Sequence, residues 1–172
     1  MERSTRSLNG TWLFLIDPHD RGEDWAEYWR EKAPESHAFM KGFAVIQWEN
    51  VTVPSSWNLE NTRLEWYQGC TWYARHFSVD GDLTAGRYFL RFGAVNYHAK
   101  VWLNDSLLGE HEGGFTPFEF EITDQLRSGP NYLCIKVDSR LPADATVPLA
   151  GWMNYGGIFR DVTLYRTGVR RI

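Results

Sequence analysis

The stretches HEGGFTPFEFEIT, residues 111–123, and GGIFRDVTLY, residues 156–165, decide the fold of this chain. In both, apolar and polar residues alternate, which is the period of a β-strand with one buried face. Paired glycines stand beside the alternating residues, where they allow tight corners. The same alternation recurs along the sequence, at residues 9–16, 71–79, 86–95, 98–104, 131–139 and 160–167. The sequence therefore predicts an all-β fold of short strands.

Two local patterns refine this prediction. Trp12 and Phe14 fall on one face of the first strand, with Leu13 and Leu15 on the other, so we expect that strand to be covered on both sides. The segment Asn104–Asp105–Ser106 has the turn residues of a hairpin. The whole chain, residues 1–172, is expected to form a single β-sandwich domain of jelly-roll type.

One helix is expected in residues 22–33, GEDWAEYWREKA. Trp25, Tyr28 and Trp29 have the i, i+3, i+4 spacing of a helix face, and Pro34 would end the helix. A further helical turn is predicted over Thr123–Asp124–Gln125–Leu126, with Thr123 as its cap.

Composition and charge exclude several classes of function. The chain has 43% hydrophobic and 23% charged residues and a net charge of -4, without the basic stripe of a nucleic-acid-binding protein. No apolar run approaches the roughly 18 residues of a membrane span. Residues 1–10 lack the apolar core of a secretory signal, so a cytoplasmic location is expected. Cys70 and Cys134 are expected to be free thiols.

Aromatic residues are abundant, with nine Trp, eight Tyr and ten Phe. Aromatic rings favour strands and fill cores, which is the expected place for most of them. The apolar faces of sugars also stack on such rings. Trp57, Trp66 and Trp152 are therefore candidate carbohydrate-binding residues.

Six motifs occur in order along the chain. They are Leu8, Gly10, Trp12 and Phe14; VTVPSSWN at 51–58; YQGCTWYARHF at 67–77; LRFGAV at 90–95; Val101, Trp102 and Asn104 followed by residues 111–119; and NYGGIFRDV at 154–162. In this order and spacing they resemble the N-terminal sugar-binding domain of glycoside hydrolase family 2, the β-galactosidase and β-glucuronidase group. The resemblance covers about 155 residues and leans toward the β-glucuronidases.

The resemblance implies a galactose-binding-domain-like jelly roll from a retaining β-glycosidase. It places both catalytic glutamates in a barrel domain that this chain lacks, along with an immunoglobulin-like domain. The chain alone is thus expected to be inactive, with a β-glycoside and the missing barrel as its partners and homo-oligomer formation left open. The glutamates of the chain's acidic cluster suit solvated positions, and we do not interpret them as a catalytic pair; they are Glu110, Glu112, Glu119 and Glu121.

The segment Leu141–Tyr155 is the strongest functional candidate, because long loops on a rigid sandwich often carry binding residues. Asp144, Trp152 and Asn154 are its candidate sugar contacts. Some relatives place an aspartate that contacts a sugar hydroxyl where this chain has Gly151, so that contact is not assigned here.

A second set of residues is interpreted as structural. His111 is expected to hydrogen-bond across a corner, and Gly113 and Gly114 to supply backbone angles closed to other residues. No metal or cofactor is expected, because His111 and Glu112 lie in neither an H-x-H nor an HExxH pattern. Gly156 and Gly157 form the last glycine corner, and an ion pair of Arg160 and Asp161 is expected to hold the final strand.

Three hypotheses follow for the function. The domain shapes an active site beside a catalytic barrel, or binds carbohydrate independently, or serves only as an interface between domains or subunits. An exposed apolar patch would favour the first or third hypothesis, and a preformed aromatic groove would favour the second.

Overall fold

Short antiparallel strands make up most of the computed structural model, which describes residues 4–31, 48–142 and 154–168. One short α-helix, α1 (Trp57–Glu60), and two 3-10 turns, Thr62–Leu64 and Leu83–Ala85, interrupt the strands. The strands in chain order are β1 (Ser4–Ser7), β2 (Gly10–Asp17), β3 (Glu49–Val53), β4 (Ser55–Ser56), β5 (Cys70–Val79), β6 (Gly86–Phe92), β7 (Val95–Asn96), β8 (His98–Leu103), β9 (Ser106–Glu112), β10 (Phe118–Glu121), β11 (Gly129–Asp138), β12 (Gly157–Ile158) and β13 (Val162–Gly168).

The described strands form three sheets. The largest has six strands in the order β3-β2-β5-β11-β8-β9, a second has four in the order β1-β13-β6-β10, and the third is β4-β12-β7. Strands far apart in sequence are neighbours, such as β1 with β13 and β5 with β11, so the chain crosses repeatedly between sheets. The predicted all-β sandwich of jelly-roll type is confirmed, and its one described α-helix is short but lies at Trp57–Glu60, outside the predicted range of residues 22–33.

The main core lies between the six-stranded and four-stranded sheets. Alternate residues point inward, as the period of two predicts. Burying each large apolar side chain stabilises the fold by about 1.5–3 kcal/mol relative to its exposed state. The inward residues of the two sheets include Trp12 and Phe14 from β2, Tyr73 and Phe77 from β5, Leu133, Ile135 and Val137 from β11, Leu90 and Phe92 from β6, and Val162 and Leu164 from β13.

The opposite face of the six-stranded sheet is also apolar. A second cluster contains Leu15, Trp72, Ala74, Trp102, Tyr132 and Cys134. Residues 17–31, which we call the strap, lie across it. Trp29 stacks on Trp102 with ring centroids 6.5 Å apart, and Tyr28 meets Trp72 edge-on at 5.6 Å. The prediction that β2 is covered on both sides is therefore confirmed.

The helix predicted over residues 22–33 is wrong across its described part, residues 22–31, which form turns. The Asp17 carboxylate accepts hydrogen bonds from the backbone N–H of Arg21 and Gly22, at 2.9 and 2.7 Å. Asp20 and Glu27 have positive φ angles of 53° and 48°, which a right-handed helix excludes. The aromatic spacing reflects packing on the sheet: Tyr28 and Trp29 face it. Residues 32–33 lie outside the described residues.

Turn predictions were more accurate. Asn104 and Asp105 both adopt the left-handed conformation, with φ of 51° and 69°, and they join β8 to β9 as the predicted hairpin. A single helical turn follows Ile122, whose carbonyl accepts from the Leu126 N–H at 2.9 Å. Thr123 does not cap that turn; its hydroxyl oxygen accepts a hydrogen bond from the Tyr88 N–H at 3.0 Å.

Two further expectations concern the cysteines and membrane spans. Cys70 and Cys134 are free, as predicted, and both are buried. Burial raises the pKa of the Cys134 thiol to about 12, so this thiol stays protonated at neutral pH. Among the described residues, no helix has the length and apolar character of a membrane span.

Ion pairs fasten the strap to the sheet. Lys136 Nζ lies 2.5 Å from Asp20 and 3.2 Å from Glu23, and Glu23 also pairs with Lys100. Burial of the Asp20 carboxyl opposes its ionisation, but the hydrogen bond and charge of Lys136, together with hydrogen bonds from Cys70 and Arg140, outweigh burial, and the pKa of Asp20 is lowered. Lys136 keeps its proton for the reciprocal reason: burial lowers its pKa, but Asp20, Cys70 and Glu23 together raise it above its ordinary value.

The strap should therefore loosen in acid. A carboxyl with a lowered pKa stabilises the fold above its unfolded pKa, about 3.9 for Asp, and that stabilisation is lost as pH falls through the folded value. We expect the free energy of unfolding to drop below about pH 4. Asp20→Asn should lower the free energy of unfolding by less than about 1 kcal/mol at pH 7, because the pair is partly exposed. It should also make the free energy of unfolding depend less on pH below about pH 4. Urea denaturation from pH 2 to 7 measures both effects. If wild type and Asp20→Asn lose the same stability in acid, the stabilising role of the Asp20–Lys136 pair is contradicted.

Candidate functional site

The predicted functional loop leaves and rejoins the sandwich at one end. Its N-terminal side follows β11 at Ser139, and its C-terminal side returns at Asn154, just before β12. Residues 143–153 lie outside the described residues, and with them Asp144, Gly151 and Trp152. Sugar contacts by Asp144 and Trp152 therefore stay predictions. The residues that hold both ends, Asn96, Ser139, Asn154 and Tyr155, are called here the loop rim.

A buried amide holds the C-terminal side of the loop rim. Asn96, at the end of β7, is 3% exposed. Its Nδ2 donates to Asn154 Oδ1 at 2.7 Å and to the Tyr155 carbonyl at 2.5 Å. Asn154 Nδ2 donates in turn to the Ser139 carbonyl. The side chain of Asn154 is thus directed into the rim, where it joins the two ends of the loop.

Ser139 is fixed by the start of β5. The Ser139 N–H donates to the Gly69 carbonyl at 3.2 Å, and the Gly69 N–H donates to Ser139 Oγ at 3.1 Å. Ser139 is fully buried, so these bonds satisfy groups that water cannot reach. Both ends of the loop are consequently attached to strands of the rigid sheet.

A second buried amide shapes the neighbouring turn. Asn58 is 4% exposed, and its Nδ2 donates to the carbonyls of Leu64 at 2.8 Å and Tyr67 at 3.0 Å. Its Oδ1 accepts from the Gly156 N–H at 2.8 Å. Asn58 thereby joins the turn that carries Trp66 to the strand that follows Asn154.

Trp66 and Trp57 occupy opposite environments, although both were predicted as sugar contacts. The Trp66 side chain is 75% exposed, so its ring is open to a ligand or a partner. The Trp57 ring is 2% exposed and packs in the main core, near Phe14 at 6.2 Å. A stacking role for Trp57 does not fit this burial, because no ring face is left for a sugar.

Trp57 also explains the last glycine corner. A Cβ on Gly156 would lie 1.8 Å from the Trp57 ring, and a Cβ on Gly157 would lie 2.4 Å from the Ser55 carbonyl oxygen. Gly157 also has a positive φ of 144°. Gly156 must be glycine because the Trp57 ring leaves no space for a Cβ. Gly157 must be glycine because the Ser55 carbonyl leaves no space either and because its φ is positive.

The HEGG corner follows the prediction in part. His111 stacks on Phe118 at 4.1 Å and its Nε2 lies 3.2 Å from the Thr116 hydroxyl, a hydrogen bond across the corner. Burial lowers the pKa of His111, so the neutral ring is favoured. Gly113 has the expected positive φ, 119°. Gly114 does not; it is required because a Cβ there would lie 2.0 Å from Asn96 Oδ1.

Arg160 makes a different contact from the one predicted. Its guanidinium donates to the Phe115 carbonyl at 3.2 Å, and Asp161 accepts from Asn9 Nδ2 at 2.8 Å. Asn9 Oδ1 accepts from the Val162 N–H at 2.9 Å, so the side chain of Asn9 fixes the start of β13. The expected ion pair between Arg160 and Asp161 is absent from the described residues.

A charged group lies at the same end of the sandwich. Asp20, Cys70 and Asp138 offer ligand-type atoms within 4.8 Å of one another. Cations of the protein already contact this group: Arg140 pairs with Asp138 at 2.6 Å and Asp20 at 3.1 Å. The carboxylates are therefore balanced by arginine and lysine, which is a structural arrangement rather than an open ligand set.

The surface around the small sheet β4-β12-β7 carries exposed apolar side chains. Leu59 and Trp66, 74% and 75% exposed, lie between β4 and β5, and Tyr155, 38% exposed, precedes β12. Phe115, 69% exposed, lies between β9 and β10, and its carbonyl accepts from Arg160 just after β12. Exposed apolar residues of this size are typical of a surface that contacts a ligand or another domain.

Asn58 and Asn96 were missed by the sequence interpretation. Asparagine is depleted in strands, so an Asn at the end of an apolar run such as residues 90–96 is a usable signal for a buried hydrogen-bonding role. The partners of these amides are backbone groups far away in sequence, and residue types alone could not identify them.

Comparison with known proteins gives a consistent result. Residues 5–168 match the family model for glycosyl hydrolases family 2, sugar binding domain. A β-galactosidase of Thermoanaerobacter pseudethanolicus is 33% identical over 170 residues, covering 95% of this chain and 21% of that protein. A β-glucuronidase of Paenibacillus borealis is 28% identical over 190 residues, covering 97% of this chain and 30% of that protein.

Solved structures show the same fold. A β-glucuronidase from an uncultured Clostridium species superposes with a TM-score of 0.78 at 32% identity, covering 96% of this chain and 29% of that one. The Ruminococcus gnavus β-glucuronidase in complex with D-glucuronic acid superposes with a TM-score of 0.76 at 25% identity, covering 95% and 29%. This chain therefore spans less than a third of the length of these relatives.

The Asn96 amide can be tested by an isosteric change. Asn96→Asp replaces the Nδ2 donor by an oxygen that faces the Asn154 and Tyr155 oxygens, so the protein should lose about 1–3 kcal/mol or more of stability at pH 7. Urea denaturation monitored by circular dichroism measures this. Asn50→Asp, an exposed change on β3, is the matched control and should be near neutral. Equal effects of the two variants would show that the amide is not anchoring the rim.

Gly156 offers a second test. Gly156→Ala places a methyl group against the Trp57 ring and should cost about 1–3 kcal/mol through overpacking. Gly168→Ala is the control, because a Cβ there would meet no atom within 4 Å. Thermal unfolding of the three proteins compares them, and a Gly156→Ala protein as stable as the wild type would refute the close packing.

Proposed function

Since the chain belongs to the sugar-binding domain family of the family 2 glycosyl hydrolases, we propose that it is a non-catalytic domain that forms one wall of a β-glycosidase active site. The parent enzyme would act on β-glucuronides or β-galactosides. The observation that carries this proposal is the match over residues 5–168 to a domain that fills less than a third of its longer relatives.

The described carboxylates support a non-catalytic role. A retaining glycosidase needs two carboxyl groups about 5 Å apart, with a raised pKa on the acid. Glu110 is held by Lys100 at 3.2 Å and Glu121 by Arg87, and the pKa of each is lowered. Glu119 accepts from the Tyr165 hydroxyl at 2.8 Å. Glu112 accepts from the Tyr97 hydroxyl at 3.0 Å. These groups stabilise strands, and the environments of Glu110 and Glu121 favour the ionised state.

The exposed aromatic surface supports a role beside another domain. Trp66 lies on a turn whose backbone is held by Asn58, so the exposed ring is presented by a rigid element. Rigid presentation lowers the entropy that a contact must overcome. The loop rim lies next to this turn, because Gly156 links both. A ligand or barrel surface that contacts the loop would therefore also meet Trp66.

An independent carbohydrate-binding module is the second candidate. It is favoured by the exposure of the Trp66 side chain, and disfavoured by the burial of Trp57, which removes one of the expected platform rings. A purely structural interface would use the same apolar surface without a sugar.

The first experiment is calorimetric titration of the chain with glucuronate, galactose and mannose, with hydrolysis of nitrophenyl β-glycosides measured in parallel. We expect no turnover, and binding weaker than about 1 mM because the second wall of the site is not supplied. Trp66→Ala should abolish whatever binding of galactose or mannose is measured, with Trp25→Ala as the exposed control.

A chimera gives the decisive comparison. Residues 5–168 would replace the matching domain of the Thermoanaerobacter β-galactosidase. Trp66→Ala in that chimera should raise KM at least threefold while folding is retained, if the domain contributes to the active-site wall. Measurable turnover by the chain alone, or an unchanged KM in the variant chimera, would contradict the proposal.

A further inference from the structure

The end of the sandwich opposite the loop rim contains a polar cavity between the two large sheets. Strand β5 spans ten residues, about 30 Å, from Cys70, next to the loop rim, to Val79 at this cavity. The cavity has a volume of about 330 Å³. Its lining residues are Ser4, Arg6, Val79, Asp80, Tyr88, Leu164, Tyr165 and Arg166.

The register of β1 and β13 places two arginines on the inner face of the four-stranded sheet. Arg6 pairs with Leu164, a core residue, and Ser4 pairs with Arg166. Residues directly opposite each other in a sheet share a face. Arg6 and Arg166 are thus diagonal neighbours on the inner face, about 7–8 Å apart at their backbones. β1 is exposed along its whole length and Arg166 is half-buried, so both arginines lie at the open edge of the sandwich, where a solute can reach them.

Neither arginine has an acidic partner in the part of the chain that the structure describes. Arg6 donates to the Ser78 carbonyl at 2.5 Å, which bridges the two sheets but does not neutralise its charge. No ion pair is formed by Arg166 among these residues. In contrast, Arg63 and Arg87 of the same domain each pair with a glutamate. The cavity therefore has an excess of positive charge.

The remaining lining residues define the ligand further. Tyr88, opposite Arg166 in the sheet, closes one side of the cavity, and Asp80 supplies a single carboxylate. Planar guanidinium groups suit the oxygens of a carboxylate or phosphate. Asp80 repels a bare anion but accepts a hydrogen bond from a hydroxyl. The chemistry favours a small oxyanion, and more so one that also carries hydroxyl groups.

We propose that this cavity binds a small carboxylate or phosphate between Arg6 and Arg166. The site is separate from the loop rim and from Trp66, so it is independent of the proposed active-site wall. It makes the domain responsive to a second, anionic ligand, and occupancy would join β1 and β13 to β5 across the gap between the sheets.

The first test is thermal unfolding and calorimetric titration of the 172-residue chain with sodium phosphate at pH 7, against sodium chloride at equal ionic strength. Phosphate should raise Tm beyond the chloride value. Arg166→Gln and Arg6→Gln should each weaken phosphate binding at least tenfold. Arg91→Gln is the matched control, because Arg91 is an exposed arginine on β6 of the same sheet and does not line the cavity.

Further variants keep the outcome interpretable. Arg6→Lys retains the charge and is the substitute if Arg6→Gln fails to fold; it should bind phosphate less tightly than wild type but better than Arg166→Gln. Asp80→Asn removes the repulsion and should strengthen phosphate binding several-fold. Trp66→Ala should leave phosphate binding unchanged, which separates this site from the proposed sugar-contact surface.

Glucuronate and glucose distinguish the source of the anion. If glucuronate binds more tightly than phosphate, competes with phosphate and requires Arg166, the ligand is a sugar acid. Glucose, which has no carboxylate, should not compete. Phosphate binding alone identifies a phosphoryl group. Equal effects of phosphate and chloride, or phosphate binding that survives both arginine substitutions, would overturn the proposal.

Discussion

Strand β5 is apolar on both of its faces, and the arrangement of the domain follows from the need to cover both. Tyr73 and Phe77 face the four-stranded sheet, while Trp72 and Ala74 face the strap. A sheet with two apolar faces cannot leave one of them in water without losing the stabilisation of about 25 cal/mol per Å² of buried apolar surface. The strap meets this requirement with aromatic rings in the middle and ion pairs at the edge.

The same constraint explains what the sequence could predict. Alternation with a period of two identified the strands, because inward and outward residues differ in polarity wherever one face is buried. The helix predicted for the strap is wrong because only Tyr28 and Trp29 of the three spaced aromatic residues pack on the sheet, while Trp25 is exposed. Glu27 interrupts any right-handed helix there, since its φ is positive at 48°. A positive φ at one residue is not visible in hydrophobic periodicity.

The candidate site was predicted less completely than the fold. Asn154 and Trp66 could be selected from residue type and position. Only the structure shows that the Trp57 ring is buried in the core while the Trp66 ring is exposed. The sequence identified the structural glycines, but it did not show why each position requires glycine. Gly113 is needed for its backbone angle, whereas Gly114 and Gly156 are needed because Asn96 and Trp57 occupy the space of a side chain. Such contacts join residues separated by many positions, so they emerge only from the packed structure.

The hydrogen bonds of Asn96 have a consequence for exchanging loops between related proteins. Asn96, Gly114, Ser139 and Asn154 come from four separate segments, yet each restricts the others: the amide fills the space above Gly114 and determines which side chain residue 154 can carry. A loop from a related protein that replaced residues 140–153 would have different terminal residues, whereas the residues of this domain that hold the two ends of the loop would be unchanged. The transferable unit is therefore the loop together with these four anchoring positions, and a graft that moves the loop alone would separate groups that are in contact with one another.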